Sequence, residues 1–179
     1  ISNDELTKLK NYGAKKIFSC SNIKKGDSQT AATIMNNLTD GVEVIVFSNT
    51  YTAKMIAPRL SAKLKAGLIS NVISISESKS PLKVKRKAFS SKAIETALIK
   101  TDKAIFLISP NSYKLVENEV SCVIENIEEA SGSSIIIEGE NIASGKITLS
   151  EAEIIVSAGR GLKSAENWGM IEELAKSLG

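Results

Sequence analysis

The sequence predicts an α/β protein: a three-layer α/β/α domain with a largely parallel sheet and some antiparallel strands, followed by the first βα unit of a second α/β domain. In the first half, short apolar segments alternate with amphipathic segments of helical period, which is typical of parallel sheets covered by helices. After residue 81, strand-like segments follow one another without a helical pattern between them, which favours antiparallel pairing. At the carboxyl end, an apolar segment, a glycine loop and an amphipathic segment form one more strand–loop–helix unit.

The first half contains three predicted strands and three predicted helices. The strands are residues 16–20, 42–47 and 68–75. The first helix carries Leu6, Leu9 and Tyr12 on one face. Each later helix follows a capping residue. This residue is Asp27 or Ser28 for the second helix and Asn49 or Thr50 for the third. Segment 42–47 is nearly all apolar, so we expect it at the centre of the sheet. Pro58 lies inside the third helical segment and predicts a kink or a helix start close to it.

Four strand-like segments follow, at residues 82–89, 93–99, 103–109 and 120–127. In the first of these, the period of two places Lys83, Lys85 and Lys87 on one face and Leu82, Val84 and Ala88 on the other. This predicts a solvated strand face whose lysines discourage edge pairing. A nucleic-acid surface is disfavoured, because no aromatic residues interleave with the basic ones. Residues 131–149 are rich in serine and glycine and predict an inter-domain connection, which places the domains at 1–150 and 151–179.

The composition excludes several classes of function. The chain has no histidine, which removes the commonest general base and metal ligand, and we find no credible pair of nucleophile and base. Two distant cysteines, Cys20 and Cys122, predict reduced thiols and a cytoplasmic or equivalent reducing compartment. A net charge of +3 does not demand nucleic acid or an anionic membrane as a partner. No apolar run is long enough to cross a bilayer.

The carboxyl-terminal unit carries the main candidate site. Ile154, Ile155 and Val156 predict a strand buried on both faces, and Gly159 and Gly161 then flank Arg160 in a tight turn. Ser164 is the expected N-cap of a helix whose apolar residues recur at helical spacing: Trp168, Ile171, Leu174, Ala175 and Leu178. Glycines allow a ligand to approach the backbone, and a guanidinium suits a phosphate or an anionic ring. One strand and one helix cannot cover their own apolar faces, so we expect partner surfaces beyond Gly179, in another chain or on the first domain.

A second candidate site is the loop 19–28, between Ser19 and Ser28. It lies after a strand and before a helix, where α/β folds place ligands. It has a single glycine and no lysine-serine phosphate-loop pattern, so an ordinary loop is favoured. Nucleotide binding at this loop remains the alternative function.

The run from Ile155 to Asn167 closely resembles the segment that opens the flavin-binding domain of the electron-transfer flavoprotein alpha subunit. In that family the serine is usually followed by Gly-Gly-Arg-Gly-Leu-Lys-Ser, and here Ala158 replaces the first glycine. The resemblance implies that Arg160, with Gly161 beside it, binds FAD. The segment 50–72 is similar to a helix and strand of the same family's amino-terminal domain, with Asn71 where the family usually has aspartate.

The resemblance implies a truncated alpha subunit, with most of the amino-terminal domain and the start of the FAD-binding domain. Such a subunit is an electron carrier rather than an enzyme. It pairs with a beta subunit and passes electrons from acyl-CoA dehydrogenases of fatty acid β-oxidation, through a quinone oxidoreductase, towards the quinone pool. We expect this piece alone to bind FAD weakly or not at all, since one glycine loop cannot bury a dinucleotide.

Overall fold

The structure is a computed structural model that describes residues 3–24, 26–79, 81–128, 135–136, 138–139, 149 and 152–178. The chain divides into two compact units, Ile1–Gly139 and Glu140–Gly179. The division into domains at residue 150 stays a prediction, and most of the predicted connection 131–149 lies outside the described residues.

The first unit alternates helices and strands in its amino-terminal half and then consists mainly of strands. Its helices are α1 (Asn3–Lys8), continued by a 3-10 turn at Leu9–Asn11, α2 (Ser28–Leu38) and α3 (Tyr51–Leu64). Its strands are β1 (Lys16–Ser19), β2 (Val44–Ser48), β3 (Gly67–Lys79), β4 (Leu82–Ala88), β5 (Ala93–Leu98), β6 (Ala104–Ile108) and β7 (Val123–Asn126). The predicted α/β class is confirmed.

The strands form a five-stranded sheet of order β2-β6-β3-β4-β5 and a two-stranded sheet of β1 and β7. The predicted antiparallel pairing is confirmed for β4 and β5. It is wrong for β6, which is parallel to β2 and β3, and for β7, which is parallel to β1. The four residues from Ala104 to Leu107 are all buried, as expected of a strand inside a parallel sheet.

The prediction that segment 42–47 is central is wrong, because β2 lies at one edge of the five-stranded sheet. Ile45 is buried, whereas Val46 is 55% exposed. An apolar run shows that a strand can be buried on both faces, but it does not show which neighbours it has.

Helix α3 packs on the five-stranded sheet and forms the larger core. Thr50 caps it, since its hydroxyl accepts a hydrogen bond from the backbone N–H of Ala53 at 3.2 Å. Leu60, which belongs to this helix, is fully buried. The core cluster also contains residues from α2 and from strands β2 and β6: Ala32, Ile45, Ile105 and Leu107. Pro58 lies on the exposed side, and the helix begins at Tyr51, well before it.

A smaller core lies where β3, β4 and β6 meet, around Val72, Val84 and Phe106. The pairing of β3 shifts register next to Asn71, whose φ is 58°. Asparagine and aspartate tolerate this left-handed conformation better than other residues that carry a Cβ. The side-chain oxygen Oδ1 of Asn71 also accepts a hydrogen bond from the Asn49 side-chain amide at 2.7 Å. Asparagine at position 71 therefore suits the left-handed backbone found there.

The second unit contains two 3-10 turns, Arg160–Leu162 and Ala165–Trp168, and helix α4 (Gly169–Leu178). The predicted strand at Ile154–Val156 does not form, and Ile154 and Ile155 are exposed. A strand exists only by pairing with a neighbour, and no strand lies among the described residues of this unit. None of the α4 residues is buried.

Candidate functional site

The candidate site is the loop that leads from Ser157 to Trp168 in the second unit. Arg160 opens a 3-10 turn, in which the Leu162 N–H donates to the Gly159 carbonyl at 3.2 Å and the Lys163 N–H to the Arg160 carbonyl at 3.1 Å. The predicted tight turn around Arg160 is therefore present. Its backbone hydrogen bonds fix the position from which the Arg160 side chain leaves the chain.

Lys163 follows in an unusual backbone conformation, with φ 61° and ψ −47°. Its neighbours close a γ-turn, because the Ser164 N–H donates to the Leu162 carbonyl at 2.7 Å. A γ-turn with positive φ is rare and strained, and strain of this kind concentrates at functional sites. The loop thus presents a second cation three residues after Arg160. Lys163 was not among the candidate site residues predicted from the sequence, although a second basic residue in the same loop was a visible signal.

Asn167 holds the loop closed. Its side-chain amide donates to the Leu162 carbonyl at 2.7 Å, and its backbone N–H donates to the Ser164 carbonyl at 3.3 Å. Ser164 does precede a helical turn, but its side chain makes no capping hydrogen bond and α4 begins only at Gly169. The prediction that the Ser164 side chain caps the helix is therefore wrong. The Leu162 carbonyl already receives two donors from residues within this loop, which makes the loop self-supporting.

The backbone conformation of the loop does not require glycine at position 159 or 161. Gly159 has φ −102°, and Gly161 is not among the residues with positive φ. A Cβ added at either position would meet nothing within 4 Å. Since neither φ nor internal packing requires glycine here, the missing side chains leave the backbone open to an approaching ligand.

This loop borders an open cavity of about 650 Å³. Arg160 and Lys163 line it with their side chains exposed, and Trp168, which is 41% exposed, also lines it. Two cations favour phosphate or another anion, and an indole ring favours an aromatic group. The lining therefore fits part of a dinucleotide, and one loop is too small to enclose a whole one.

The loop 19–28 is less suited to an anion. The backbone N–H of Thr30 at the start of α2 donates to a carboxylate oxygen of Asp27 at 3.0 Å. The buried Ser28 hydroxyl accepts a hydrogen bond from the Arg59 guanidinium at 3.1 Å. The Asp27 carboxylate thus occupies a backbone donor at the start of α2 that a phosphate would otherwise use.

Three further findings concern metal ligands, thiols and membrane segments. The described residues contain no group of three or more acidic, cysteine or histidine side chains that could hold a metal ion. Cys20 and Cys122 are both free thiols, as predicted. None of the described helices is both long enough and apolar enough to cross a membrane.

Comparison with known proteins agrees with the fold and the loop. Residues 2–134 match the electron transfer flavoprotein domain, and residues 148–179 match the electron transfer flavoprotein FAD-binding domain. The chain belongs to the electron transfer flavoprotein family. Arg160 and Lys163 lie within the segment that matches the FAD-binding domain.

Relatives point to the alpha subunit in particular. Over 182 residues the chain is 33% identical to the electron transfer flavoprotein subunit alpha of Bacillus subtilis (strain 168), which covers 96% of this chain and 55% of the relative. It is 29% identical to the protein FixB of Escherichia coli (strain 55989 / EAEC) over 153 residues, with 83% of this chain and 48% of that protein covered. A FixB protein of Shigella dysenteriae is 28% identical over 85% of this chain. The chain spans about half the length of these curated relatives.

Proposed function

We propose that this chain acts as part of an electron-transfer flavoprotein alpha subunit, which binds FAD together with a beta subunit and works as an electron carrier. The observation that carries the proposal is the open loop with Arg160 and Lys163 inside the segment that matches an FAD-binding domain. FAD, when bound, accepts electrons and passes them on. The chain's own part is to hold the cofactor and to set the charge around it.

The residues that would hold FAD are Arg160, Gly161 and Lys163. Arg160 offers a planar set of N–H donors with a permanent positive charge, which suits phosphate oxygens or an anionic ring. Gly161 leaves room beside the backbone, and Lys163 adds a second cation. At a partly desolvated site, one such charged contact contributes about 1–3 kcal/mol to cofactor binding.

The partners and compartment follow from the family assignment and are proposals for the whole protein. Electrons would come from acyl-CoA dehydrogenases and leave through a quinone oxidoreductase to the quinone pool. Two free thiols and the bacterial relatives support a cytoplasmic location. Reduction of the heterodimer's flavin by an acyl-CoA dehydrogenase and its substrate would test the donor, and failure with every such dehydrogenase would remove that part of the proposal.

The site is tested by Arg160→Gln in the intact alpha subunit, produced together with its beta subunit. We expect FAD affinity to fall about 5- to 150-fold, the equivalent of about 1–3 kcal/mol, because one charged contact is lost. Flavin retained per heterodimer after dialysis measures this. Lys176→Gln is the matched control, since it removes an exposed cation from α4. Equal flavin retention in Arg160→Gln and the control would contradict the assigned role of Arg160.

A second measurement uses the 179-residue chain alone. We expect weak FAD binding by flavin fluorescence titration, because the cavity is open and lined by one loop. A tightly bound yellow cofactor on the purified chain would overturn this expectation. Nucleotide binding at the loop 19–28 is the competing function, and thermal stabilisation of this chain by AMP or ATP but not by FAD would support it instead.

A further inference from the structure

The outer face of the β4–β5 hairpin combines a row of cations with a row of uncharged side chains, two of which are apolar. Across the two antiparallel strands, Lys83 lies opposite Leu98, Lys85 opposite Thr96 and Lys87 opposite Ile94. All six side chains are exposed. We call these six residues the hairpin face.

The lysines of the hairpin face lack acidic partners among the described residues. The hairpin's own ion pair joins Arg86 to Glu95, at 3.8 Å, and both of these residues belong to the opposite face. Lysines at alternate positions of a strand repeat about every 6.6–6.8 Å. The result is a regular row of three positive charges with no negative charge beside it on β5.

Edge protection does not explain this arrangement. Sheets often carry lysines on their edge strands, where the charges prevent pairing with another chain. Here the lysines lie on β4, whereas β5 is the edge strand of the five-stranded sheet. The edge strand itself has no lysine and exposes Ile94 (66%) and Leu98 (45%). No strand among the described residues pairs with the outer edge of β5, so this edge offers backbone donors and acceptors flanked by apolar side chains.

We propose that the hairpin face and the free edge of β5 bind an extended acidic segment of a partner protein, which adds to the sheet as a further strand. Strand addition satisfies the unpaired backbone groups of β5, and alternate side chains of the added strand then determine specificity. A membrane or a nucleic acid could neutralise the lysines, but neither has a backbone that pairs with a strand. The free edge is thus the feature that favours a polypeptide.

The spacing of the strands suits an acidic ligand. An added strand lies about 4.8 Å from β5 and about 9.6 Å from β4. Thr96 is the smallest of the three outward β5 side chains, so a glutamate on the added strand can reach Lys85 across it. Ile94 and Leu98 provide apolar contacts on either side. This binding does not depend on the flavin, so it can be tested separately from the proposed function.

The test uses a designed peptide, acetyl-Thr-Glu-Val-Glu-Val-Glu-Thr-amide, and a version with lysine in place of glutamate. We expect the 179-residue chain to bind the acidic peptide and not the basic one, with affinity that falls steeply as salt is raised. The combined variant Lys83→Glu, Lys85→Glu and Lys87→Glu should weaken binding at least about tenfold. The matched control reverses three exposed lysines on helices: Lys8, Lys54 and Lys63.

Amide hydrogen exchange distinguishes strand addition from loose charge attraction. We expect the peptide to slow exchange of β5 amides in the wild-type chain. Equal binding by the hairpin variant and the control variant would overturn the proposal. So would binding without added protection of β5. Binding of phosphatidylserine vesicles or of a short oligothymidine, with no binding of the acidic peptide, would also overturn it and would assign the lysines to another class of partner.

Discussion

Helix α3 is less amphipathic than helix α4, yet α3 is partly buried, whereas the more amphipathic α4 is exposed. Helix α4 separates its apolar and polar side chains more strongly than α3 does. Yet α3 buries Ala53, Ala57 and Leu60, whereas α4 buries no residue. Amphipathic pattern therefore shows which face of a helix favours burial, and burial itself depends on a partner surface.

The partner surface of α3 is the five-stranded sheet, whose β2 and β6 supply Ile45, Ile105 and Leu107. No strand accompanies α4 in the described part of the second unit. Three pairs of residues can test this difference. In each pair, the side chain of one residue is buried or hydrogen-bonded, and that of the other, of similar type, is exposed and makes no hydrogen bond among the described residues.

Leu60 and Leu174 form the first pair. Leu60 is fully buried, so Leu60→Ala should lower the free energy of unfolding by about 2–5 kcal/mol, through lost burial and a residual cavity. Leu174 is 50% exposed, and Leu174→Ala in the same chain should cost about 0.5 kcal/mol or less. Urea unfolding followed by circular dichroism measures both. Similar losses for the two variants would show that α4 has a packed partner and would break the comparison.

Asn71 and Asn111 form the second pair, since both have φ 58°. Asn71→Ala forces alanine into a left-handed conformation and leaves the Asn49 amide without its acceptor, so we expect a loss of about 1–3 kcal/mol. Asn111 is exposed, and among the described residues its side chain has no hydrogen-bond partner, so Asn111→Ala should cost about 1 kcal/mol. Thermal unfolding compares them.

Asn71→Gly separates the two contributions at position 71. Glycine accepts the left-handed conformation without strain, so the remaining loss reports the hydrogen bond to Asn49. If Asn71→Gly were as harmful as Asn71→Ala, the left-handed backbone would not be the source of the effect.

Thr50 and Ser164 form the third pair, because each precedes a helical segment. The Thr50 hydroxyl caps α3, so Thr50→Ala should cost about 1 kcal/mol. Ser164 makes no such hydrogen bond, and Ser164→Ala should leave stability unchanged within about 0.5 kcal/mol. Chemical denaturation resolves the difference, and an equal cost at both positions would contradict the capping geometry described for the second unit.

Local signals in the sequence predicted the elements of the first unit well. Capping residues placed the starts of α2 and α3, and alternation placed the lysines of β4 on one exposed face. The order of strands could not be predicted in the same way. Segments 42–47 and 103–109 are both apolar, yet β2 lies at an edge and β6 between two strands. Neighbour relations depend on contacts distant in sequence, which periodicity does not encode.

At the candidate site, the turn around Arg160 was predicted correctly, whereas the backbone of Lys163 and the absence of a strand at Ile154–Val156 were not. The strained backbone of Lys163 follows from the hydrogen bond between Ser164 and Leu162, which no propensity scale reports. The strand at Ile154–Val156 was expected from composition and does not form without a neighbour. Both misses concern structure that arises from specific partners rather than from residue type.

Lys163 also limits how this loop could be improved by engineering. Glycine at that position would relieve the positive φ and would be expected to stabilise the turn. The same change would remove one of the two cations that border the cavity. A stable backbone favours glycine at position 163, whereas attraction of an anion favours lysine. A library of variants selected for thermal stability alone would therefore be expected to lose this positive charge.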